Sequence, residues 1–272
     1  MNTLVLYHHA VSTCSQKVRL CLHEKSLAFD ARQVDLRAKE NLSPSYLKLN
    51  PNGVVPTLVH DGVPVVDSSV IMEYLDEVFD AIPLMPASAQ GRARVRAWLR
   101  YLEEVPTVAV RYPSYNQAFV PANFSRQTEE QFNATAKERP LRQHFYERMG
   151  RNGFNDTDIR ASLEALQGTV RRVDVALSDG RPWIDGNALT LADACLLPLA
   201  DRVQDLGLDW LWADAPNMAR WYARWRQRPA YALTYYTGTR LSESYSDVRE
   251  RAPSIGVLRR NRRSGNPPKE TA

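Results

Sequence analysis

The sequence predicts two domains of different class, a small α/β domain followed by an all-helical domain. Strand and helix patterns alternate in the order β-α-β-α-β-β-α over roughly the first 80 residues. Residues 81–86 then read Ala-Ile-Pro-Leu-Met-Pro, and their two prolines prevent a continuous helix. After them the apolar residues recur at helical spacing. We therefore predict domains at 1–82 and 90–245, followed by a basic, disordered tail at 246–272.

Short apolar patterns place the elements of the first domain. Strand-forming residues cluster or alternate at 3–7, 29–34, 56–59 and 63–66. Asp61-Gly62, between the last two of these strands, is a favoured hairpin turn. Helical spacing follows Ser12 and Ser68, and a helical turn is expected at 44–49.

The second domain is predicted from apolar stripes with helical spacing. The predicted helices lie at 91–105, at 159–177, from Thr190 onward, and at 216–228. Thr190 and Asp193 have the spacing of a capping box at a helix start. Residues 106–160 are polar with scattered aromatic side chains, and we expect them to be irregular.

The composition favours a globular protein in the cytoplasm. Hydrophobic residues make up 44% and charged residues 24% of the chain, and no apolar run approaches the ~20 residues that span a bilayer. The N-terminus lacks the pattern of a signal peptide. Cys14, Cys21 and Cys195 form neither a disulfide framework nor a metal-binding spacing, and we expect the last two in the core. We therefore expect no membrane partner and no metal.

The net charge of +4 comes from the end of the chain. Residues 249–272 hold seven Lys or Arg and two Glu, a net charge of +5. The preceding 248 residues have 28 basic and 29 acidic side chains, a net charge of −1. The folded body therefore has no excess of positive charge for nucleic acid, and we expect no nucleic-acid partner.

Hydroxyl and thiol side chains stand at the junction of the first strand and the first helix, in Ser12-Thr-Cys14-Ser15. A helix N-terminus favours an anion such as a thiolate, and a hydroxyl that donates to the sulfur stabilises the charged form further. We choose Ser12 as that donor and keep Cys14 and Ser15 as alternatives. Cys14 is either a second reactive thiol, since a helix N-terminus lowers a cysteine pKa, or a small residue packed under the loop.

Two further motifs follow in the first domain. Pro56 begins a strand, where it cannot donate to the ladder. If the bond before it is cis, the N–H and C=O of Val55 face outward and can pair with a bound peptide; if it is trans, Pro56 merely marks an edge strand. Asp67 and Ser68 precede a helix, either as a plain N-cap or as a site for a ligand carboxylate and ammonium.

These residues, in this order and spacing, resemble the cytosolic glutathione transferases over roughly residues 3–240. The resemblance implies a thioredoxin-like first domain, an all-α second domain, and glutathione as cosubstrate. It places Pro56 at the family's cis-proline, Asp67 and Ser68 at its glutamyl-binding pair, and Asn41 near the glycyl carboxylate. It also implies a dimer.

The resemblance also suggests the reaction. Ser12-x-Cys14-Ser15 looks like the zeta class and its bacterial relatives, which include reductive dehalogenases of chlorinated hydroquinones. Residues 60–79 and Arg151-Asn-Gly-Phe154 look like the bacterial β-etherases that cleave lignin aryl ethers. Thiolate attack on an aromatic electrophile, with β-aryl ether cleavage favoured, is the main hypothesis. Reductive dehalogenation, thiol reduction through Cys14, and a non-catalytic accessory or binding role are the alternatives.

The second substrate is expected to be an apolar or aromatic small molecule in a pocket between the domains. The candidate pocket residues are His8, His9, Tyr101, Arg111, Tyr112, Tyr115 and Phe119. Each also has an ordinary interpretation, as a loop residue for the histidines and as a core residue for the aromatic side chains.

Overall fold

The computed structural model describes residues 3–254 and 256–259. The N-terminal part is built on a four-stranded mixed sheet in the order β2-β1-β3-β4. The strands are β1 (Leu4–His8), β2 (Asp30–Gln33), β3 (Thr57–His60) and β4 (Val63–Val66). β1 pairs with β2 in parallel and with β3 in antiparallel fashion, and β3 and β4 form the predicted hairpin. Asp61 and Gly62 at its turn have positive φ angles of 48° and 85°, which suits that tight turn.

Three helices accompany the sheet and complete the predicted β-α-β-α-β-β-α order. They are α1 (Thr13–Glu24), α2 (Pro44–Leu49) and α3 (Ser68–Val78). α1 and α3 pack together, and their apolar side chains meet those of β1 and β3 in one core, which includes Leu6, Leu20, Leu58 and Ile71.

Every regular element described from residue 89 onward is a helix. The longer ones are α4 (Ala89–Glu104), α8 (Glu129–Lys137), α9 (Gln143–Met149), α10 (Asp156–Ala176), α11 (Leu191–Asp205) and α12 (Pro216–Trp225). The shorter ones are α5 (Pro106–Ala109), α6 (Arg111–Ser114), α7 (Val120–Ala122), α13 (Pro229–Thr234), α14 (Leu241–Ser244) and α15 (Gly256–Arg259). Among the described residues, no helix is long and apolar enough to cross a membrane.

The expectation that residues 106–160 are irregular was wrong. This stretch consists of α5 to α9, with a turn of π-helix at Tyr115–Phe119 and a turn of 3₁₀-helix at Phe124–Arg126. Pro106 and Pro121 stand in the first turns of α5 and α7, where a missing N–H is tolerated. Prolines and polar residues thus shorten these helices without abolishing them.

α11 lies at the centre of the helical part. Asp193 is fully buried and accepts hydrogen bonds from the backbone of Thr190 (3.0 Å) and Ile184 (2.9 Å) and from Trp221 Nε1 (2.9 Å). The predicted capping residues therefore have the structural role expected of them. Cys21 and Cys195 are buried in the core, as predicted.

Buried polar side chains of α1 connect the two parts of the chain. Lys17 has no exposed side-chain surface, and its ammonium donates to Glu103 on α4 at 2.7 Å and to Thr107 on α5 at 2.9 Å. Gln16 and Arg19 donate to the backbone carbonyls of Thr239 and Thr234, each at 2.9 Å. α1 therefore lies between the sheet and the helical part, with partners on both sides.

Residues 246–254, predicted as the start of a disordered tail, are ordered. Val248 is fully buried, and its carbonyl accepts from Gln117 Nε2 at 3.1 Å. Arg251 donates to the carbonyl of Gln117 at 2.7 Å, and Arg249 donates to that of Asp205 at 3.2 Å. Apolar burial and these backbone contacts order residues 246–254, and α15 follows at Gly256–Arg259, whereas the arginines at 260, 262 and 263 lie outside the described residues. The other domain boundaries stay predictions.

Gly153 is expected to be a position where alanine destabilises the fold. Its φ is 93°, and an added Cβ would lie 2.6 Å from Oδ1 of Asn116, whose amide holds both the N–H and the C=O of Phe154 at 2.8 Å. We expect Gly153→Ala to lower the free energy of unfolding by about 2–4 kcal/mol, from backbone strain together with the clash.

Gly180→Ala is the matched control for chemical-denaturant unfolding. Its φ is similar, at 86°, but nothing lies within 4 Å of an added Cβ. It should therefore show the backbone cost alone, of about 1–2 kcal/mol. Equal losses in the two variants would mean that the Asn116 contact contributes nothing.

Candidate active site

Ser12 ends the loop after β1 and caps the N-terminus of α1. Its Oγ accepts a hydrogen bond from the N–H of Ser15 at 3.3 Å, with extended backbone angles, as an N-cap requires. The side chain is half-buried and lines a cavity between the sheet and the helical part. Its hydroxyl proton is not needed for the capping bond, so it remains available to an anion in the cavity.

Cys14 and Ser15 lie on different sides of the first turn of α1. Cys14 is half-buried and lines the same cavity as Ser12. Ser15 is fully buried, and its Oγ accepts from the N–H of His9 at 3.3 Å. Unlike Ser12 and Cys14, the catalytic candidate Ser15 does not line the cavity, because its side chain points beneath the loop and supports it.

The Val55–Pro56 peptide bond is cis, which decides between the two interpretations of Pro56. Among the residues the structure describes, neither the N–H nor the C=O of Val55 has a hydrogen-bond partner. Val55 lines the cavity. The preceding carbonyl, of Val54, is held by Tyr46 Oη at 2.7 Å and Asn50 Nδ2 at 2.9 Å. Burial raises the pKa of Tyr46 to about 12, so this donor stays protonated.

Asn41 lines the same cavity as Val55, although it is almost wholly buried. Its Nδ2 donates to the carbonyl of Gly53 at 2.7 Å, while its buried Oδ1 has no partner. A buried acceptor without a donor is uncommon in folded proteins and suits a ligand N–H.

Asp67 and Ser68 begin α3 and do not line the main cavity. β4 pairs with β3 up to Val66 opposite Thr57, so Asp67 lies one step further, beside Pro56. Oδ1 of Asp67 caps α3 by accepting from the N–H groups of Ser69 (3.0 Å) and Val70 (3.2 Å). Ser68 is almost fully buried, and its hydroxyl has no hydrogen bond to the described residues. Oδ1 of Asp67 is therefore a plain N-cap of α3, whereas Oδ2 has no hydrogen bond to the described residues.

The cavity has a volume of about 960 Å³. Its N-terminal wall consists of Ser12, Cys14, Asn41, Val55 and neighbouring loop residues. Its helical wall combines aromatic and basic side chains: Arg111, Tyr115, Phe119, Phe124, Arg139, Arg142 and Tyr146. It is large enough for a tripeptide thiol with part of a second small molecule.

The structure brings four of the seven predicted pocket residues to this cavity: His9, Arg111, Tyr115 and Phe119. His8 is buried instead, with Nδ1 3.1 Å from Arg19, and burial together with that guanidinium lowers its pKa to about 4. Tyr101 bonds to Thr169 Oγ1 at 2.9 Å, and Tyr112 stacks on Phe154. Tyr101 and Tyr112 take the ordinary interpretation as packed residues of the helical part, whereas His8 is a buried residue of β1 and neither a pocket nor a loop residue.

Arg139, Arg142 and Arg202 belong to the site but were missed by the sequence reasoning. Arg202, almost fully buried on α11, donates to the carbonyl of Val11 and so supports the loop before Ser12. Arg139 and Arg142 lie in the turn between α8 and α9. No local pattern marks them, because only the packing of α8 and α9 brings that turn to the first domain.

Comparison with known proteins agrees with this geometry. Residues 11–78 match the model of the N-terminal domain of glutathione S-transferase, and residues 143–224 match that of its C-terminal domain. Protein LigF of Sphingobium sp. strain SYK-6 is 32% identical over 237 residues, which are 84% of this chain and 91% of LigF. The chain belongs to the glutathione transferase family. The predicted family and its architecture, a thioredoxin-like domain followed by a helical domain, are thereby confirmed.

A solved structure of LigF and one further relative are also similar to this chain. The crystal structure of the β-etherase LigF has a TM-score of 0.76 at 30% identity, covering 85% of this chain and 98% of LigF. Tetrachloro-p-hydroquinone reductive dehalogenase of Sphingobium chlorophenolicum is 27% identical, covering 85% of this chain and 95% of the dehalogenase. Members of the family use glutathione as cosubstrate, as the sequence predicted.

Proposed function

We propose that this family member transfers glutathione to an aromatic electrophile, with cleavage of a β-aryl ether as the favoured reaction. The observation that carries the proposal is the placement of Ser12, at the N-terminus of α1, in a cavity whose opposite wall holds Tyr115 and Phe119. One wall suits a thiolate and the other an aromatic ring. The similarity to the β-etherase LigF supports the choice of an ether.

The residues along the first domain fit a bound tripeptide. The free N–H and C=O of Val55 suit antiparallel pairing with the peptide backbone, and the orphaned Oδ1 of Asn41 suits one of its amide N–H groups. The unused hydroxyl of Ser68 and the N-terminus of α3 suit the glutamyl carboxylate. Oδ2 of Asp67, which has no hydrogen bond to the described residues, suits the glutamyl ammonium.

Bound glutathione supplies the thiolate, which forms a C–S bond at the carbon next to a ketone while the C–O bond breaks and the phenolate leaves with the electron pair. The Ser12 hydroxyl donates a hydrogen bond to the sulfur, and the N-terminus of α1 adds its partial positive charge. Together they increase the thiolate fraction at neutral pH. The aromatic wall orients the ring and excludes water.

A second candidate is thiol chemistry at Cys14, as in a reductive dehalogenase. Cys14 lies on the cavity wall in the same helical turn as Ser12, in reach of a mixed disulfide with glutathione. The relative from Sphingobium chlorophenolicum is named for that reaction. We also propose, from the family likeness, that the protein is a cytoplasmic dimer.

The tripeptide site is tested by titrating the protein with glutathione in a calorimeter. We expect the wild type to bind, and Asp67→Ala and Ser68→Ala to weaken binding about 10- to 100-fold, since each removes a hydrogen bond to a charged ligand group. Ser88→Ala is the control, because Ser88 caps α4 through Gly91 N at 3.1 Å, away from the cavity. It should bind as the wild type does.

Absence of binding at millimolar glutathione would contradict the transferase proposal and favour an accessory or binding role. With binding established, an aryl ether ketone and a chlorinated hydroquinone are assayed side by side. Release of a phenol from the ether supports the favoured reaction, whereas release of chloride alone supports the second candidate.

A further inference from the structure

Three arginines on the helical wall of the cavity have no acidic partner. Arg111 belongs to α6, and Arg139 and Arg142 lie in the turn between α8 and α9. Among the described residues, none of their guanidinium groups forms a salt bridge or a hydrogen bond. Arg139 lies over the ring of Tyr146, 4.4 Å from its centroid, and its Nε is buried without a partner.

The other cations of the cavity wall are paired. Arg37 donates to Tyr245 Oη at 3.0 Å, Lys39 pairs with Glu138 at 2.5 Å, and Arg202 pairs with Asp205 at 3.6 Å. The two carboxylates of the wall are also occupied. Asp35 accepts from the backbone of Arg37 (2.8 Å) and Ala38 (3.0 Å), and Glu40 accepts from the backbone of Asp35 at 2.7 Å. The helical wall therefore has an excess of positive charge that the protein itself does not neutralise.

Arg111 and Arg142 are two like charges on the wall of one cavity. Burial and the neighbouring Arg142 lower the pKa of Arg111, while Cys14 and Tyr115 act in the opposite direction. Cys14 and Tyr115 line the same cavity as the two arginines. Burying a cation next to another cation is unfavourable unless an anion lies between them.

We infer that Arg111 and Arg142 bind a carboxylate of the second substrate, so that the preferred electrophile is an aromatic acid. The inference rests on the proposed glutathione transfer. Planar guanidinium groups match a carboxylate through paired N–H donors, and Tyr115 and Phe119 on the same wall suit the attached ring. Arg139 is not assigned to this carboxylate, because the adjacent Pro140 packs close to Gly53, on the wall that we assign to the tripeptide.

The test compares two chloronitroarenes of similar size, 4-chloro-3-nitrobenzoate and 4-chloro-3-nitrobenzamide, and divides each kcat/KM by the uncatalysed rate with glutathione, because the carboxamide activates the ring more than the carboxylate does. In both, the glutathione thiolate forms a C–S bond at the ring carbon and chloride leaves with the electrons of the C–Cl bond. We expect the wild type to prefer the benzoate at least tenfold in kcat/KM. Arg111→Gln and Arg142→Gln should each lower kcat/KM for the benzoate about 10- to 100-fold and leave that for the amide within about threefold.

Arg126→Gln is the matched control. Arg126 is an exposed arginine of the same region, does not line the cavity, and has no ion pair with the described residues. This variant should keep the wild-type preference. Equal turnover of acid and amide by the wild type, or an unchanged preference in the Arg111→Gln/Arg142→Gln double variant, would overturn the inference.

A binding measurement separates this inference from the proposed reaction. The two product conjugates, S-(4-carboxy-2-nitrophenyl)glutathione and its carboxamide, are titrated by calorimetry. Tighter binding of the carboxylate, lost in both arginine variants while glutathione binds normally, supports the inference even if neither arene is turned over. Weaker binding of glutathione itself in both variants would instead mean that the arginines hold the tripeptide, and would overturn it.

Discussion

Ser12→Ala is expected to lower kcat/KM for glutathione transfer about 100-fold. The substitution removes the hydroxyl that we assign to the thiolate, and loss of one such donor costs a factor of about 10²–10³ where charge is stabilised in an active site. It should also raise the pKa of the bound thiol, so the rate profile moves to higher pH. Both effects are measured with the ether ketone between pH 6 and pH 9.

Two other variants show why Ser12→Ala loses activity. Ser12→Thr keeps a hydroxyl and a good N-cap and should retain most of the activity, which separates thiolate stabilisation from loss of the helix cap. Cys14→Ser should retain activity if Ser12 acts on the sulfur, and should abolish it if the thiol of Cys14 is the reactive group. Full activity in Ser12→Ala with none in Cys14→Ser would replace the favoured reaction with the thiol reductase.

Glu103→Gln is expected to lower the free energy of unfolding by about 3–5 kcal/mol, because breaking a buried ion pair leaves an uncompensated charge. Lys17 has no exposed side-chain surface, and Glu103 is its carboxylate partner at 2.7 Å. The remaining contact to Thr107, at 2.9 Å, is to a neutral hydroxyl. The loss is measured by urea unfolding followed by tryptophan fluorescence, since Trp221 and Trp225 are buried in the core.

The control for this prediction is an ion pair on the surface. Arg32 and Asp30 are 3.0 Å apart, with more than half of each side chain exposed, so Asp30→Asn should cost less than about 1 kcal/mol. The double variant Lys17→Met/Glu103→Leu removes both charges and should recover much of the loss. A Glu103→Gln protein as stable as Asp30→Asn would show that the pair is not needed to compensate buried Lys17.

The first domain could be predicted from the sequence because local patterns specify it. Strand-forming residues cluster or alternate at the strands, Asp61-Gly62 selects the hairpin turn, and Pro56 and Asp67 mark the start of a strand and of a helix. The capping of α11 by Thr190 and Asp193 is equally local. In each case the residues that decide the structure lie within a few positions of one another.

The remaining features depend on contacts between distant segments. Ser15 belongs to the same hydroxyl-rich motif as Ser12, and only the fold shows that one faces the cavity and the other the loop. Arg142 reaches the site because α8 and α9 fold back over the first domain. Lys17 looks like a solvated residue in a mixed helix, yet its partner lies on α4, 86 positions away.

The contacts of α1 also bear on how the chain is completed during synthesis. Gln16 and Arg19, near the start, donate to the carbonyls of Thr239 and Thr234, more than 200 positions later. While only the first domain has emerged from the ribosome, these buried side chains lack these two acceptors and retain the carbonyl of Ala10. The first domain therefore reaches its final hydrogen bonding only after residues 234–239 have emerged, and a chain that stops before residue 234 would lack these two acceptors although α11 still packs on α1.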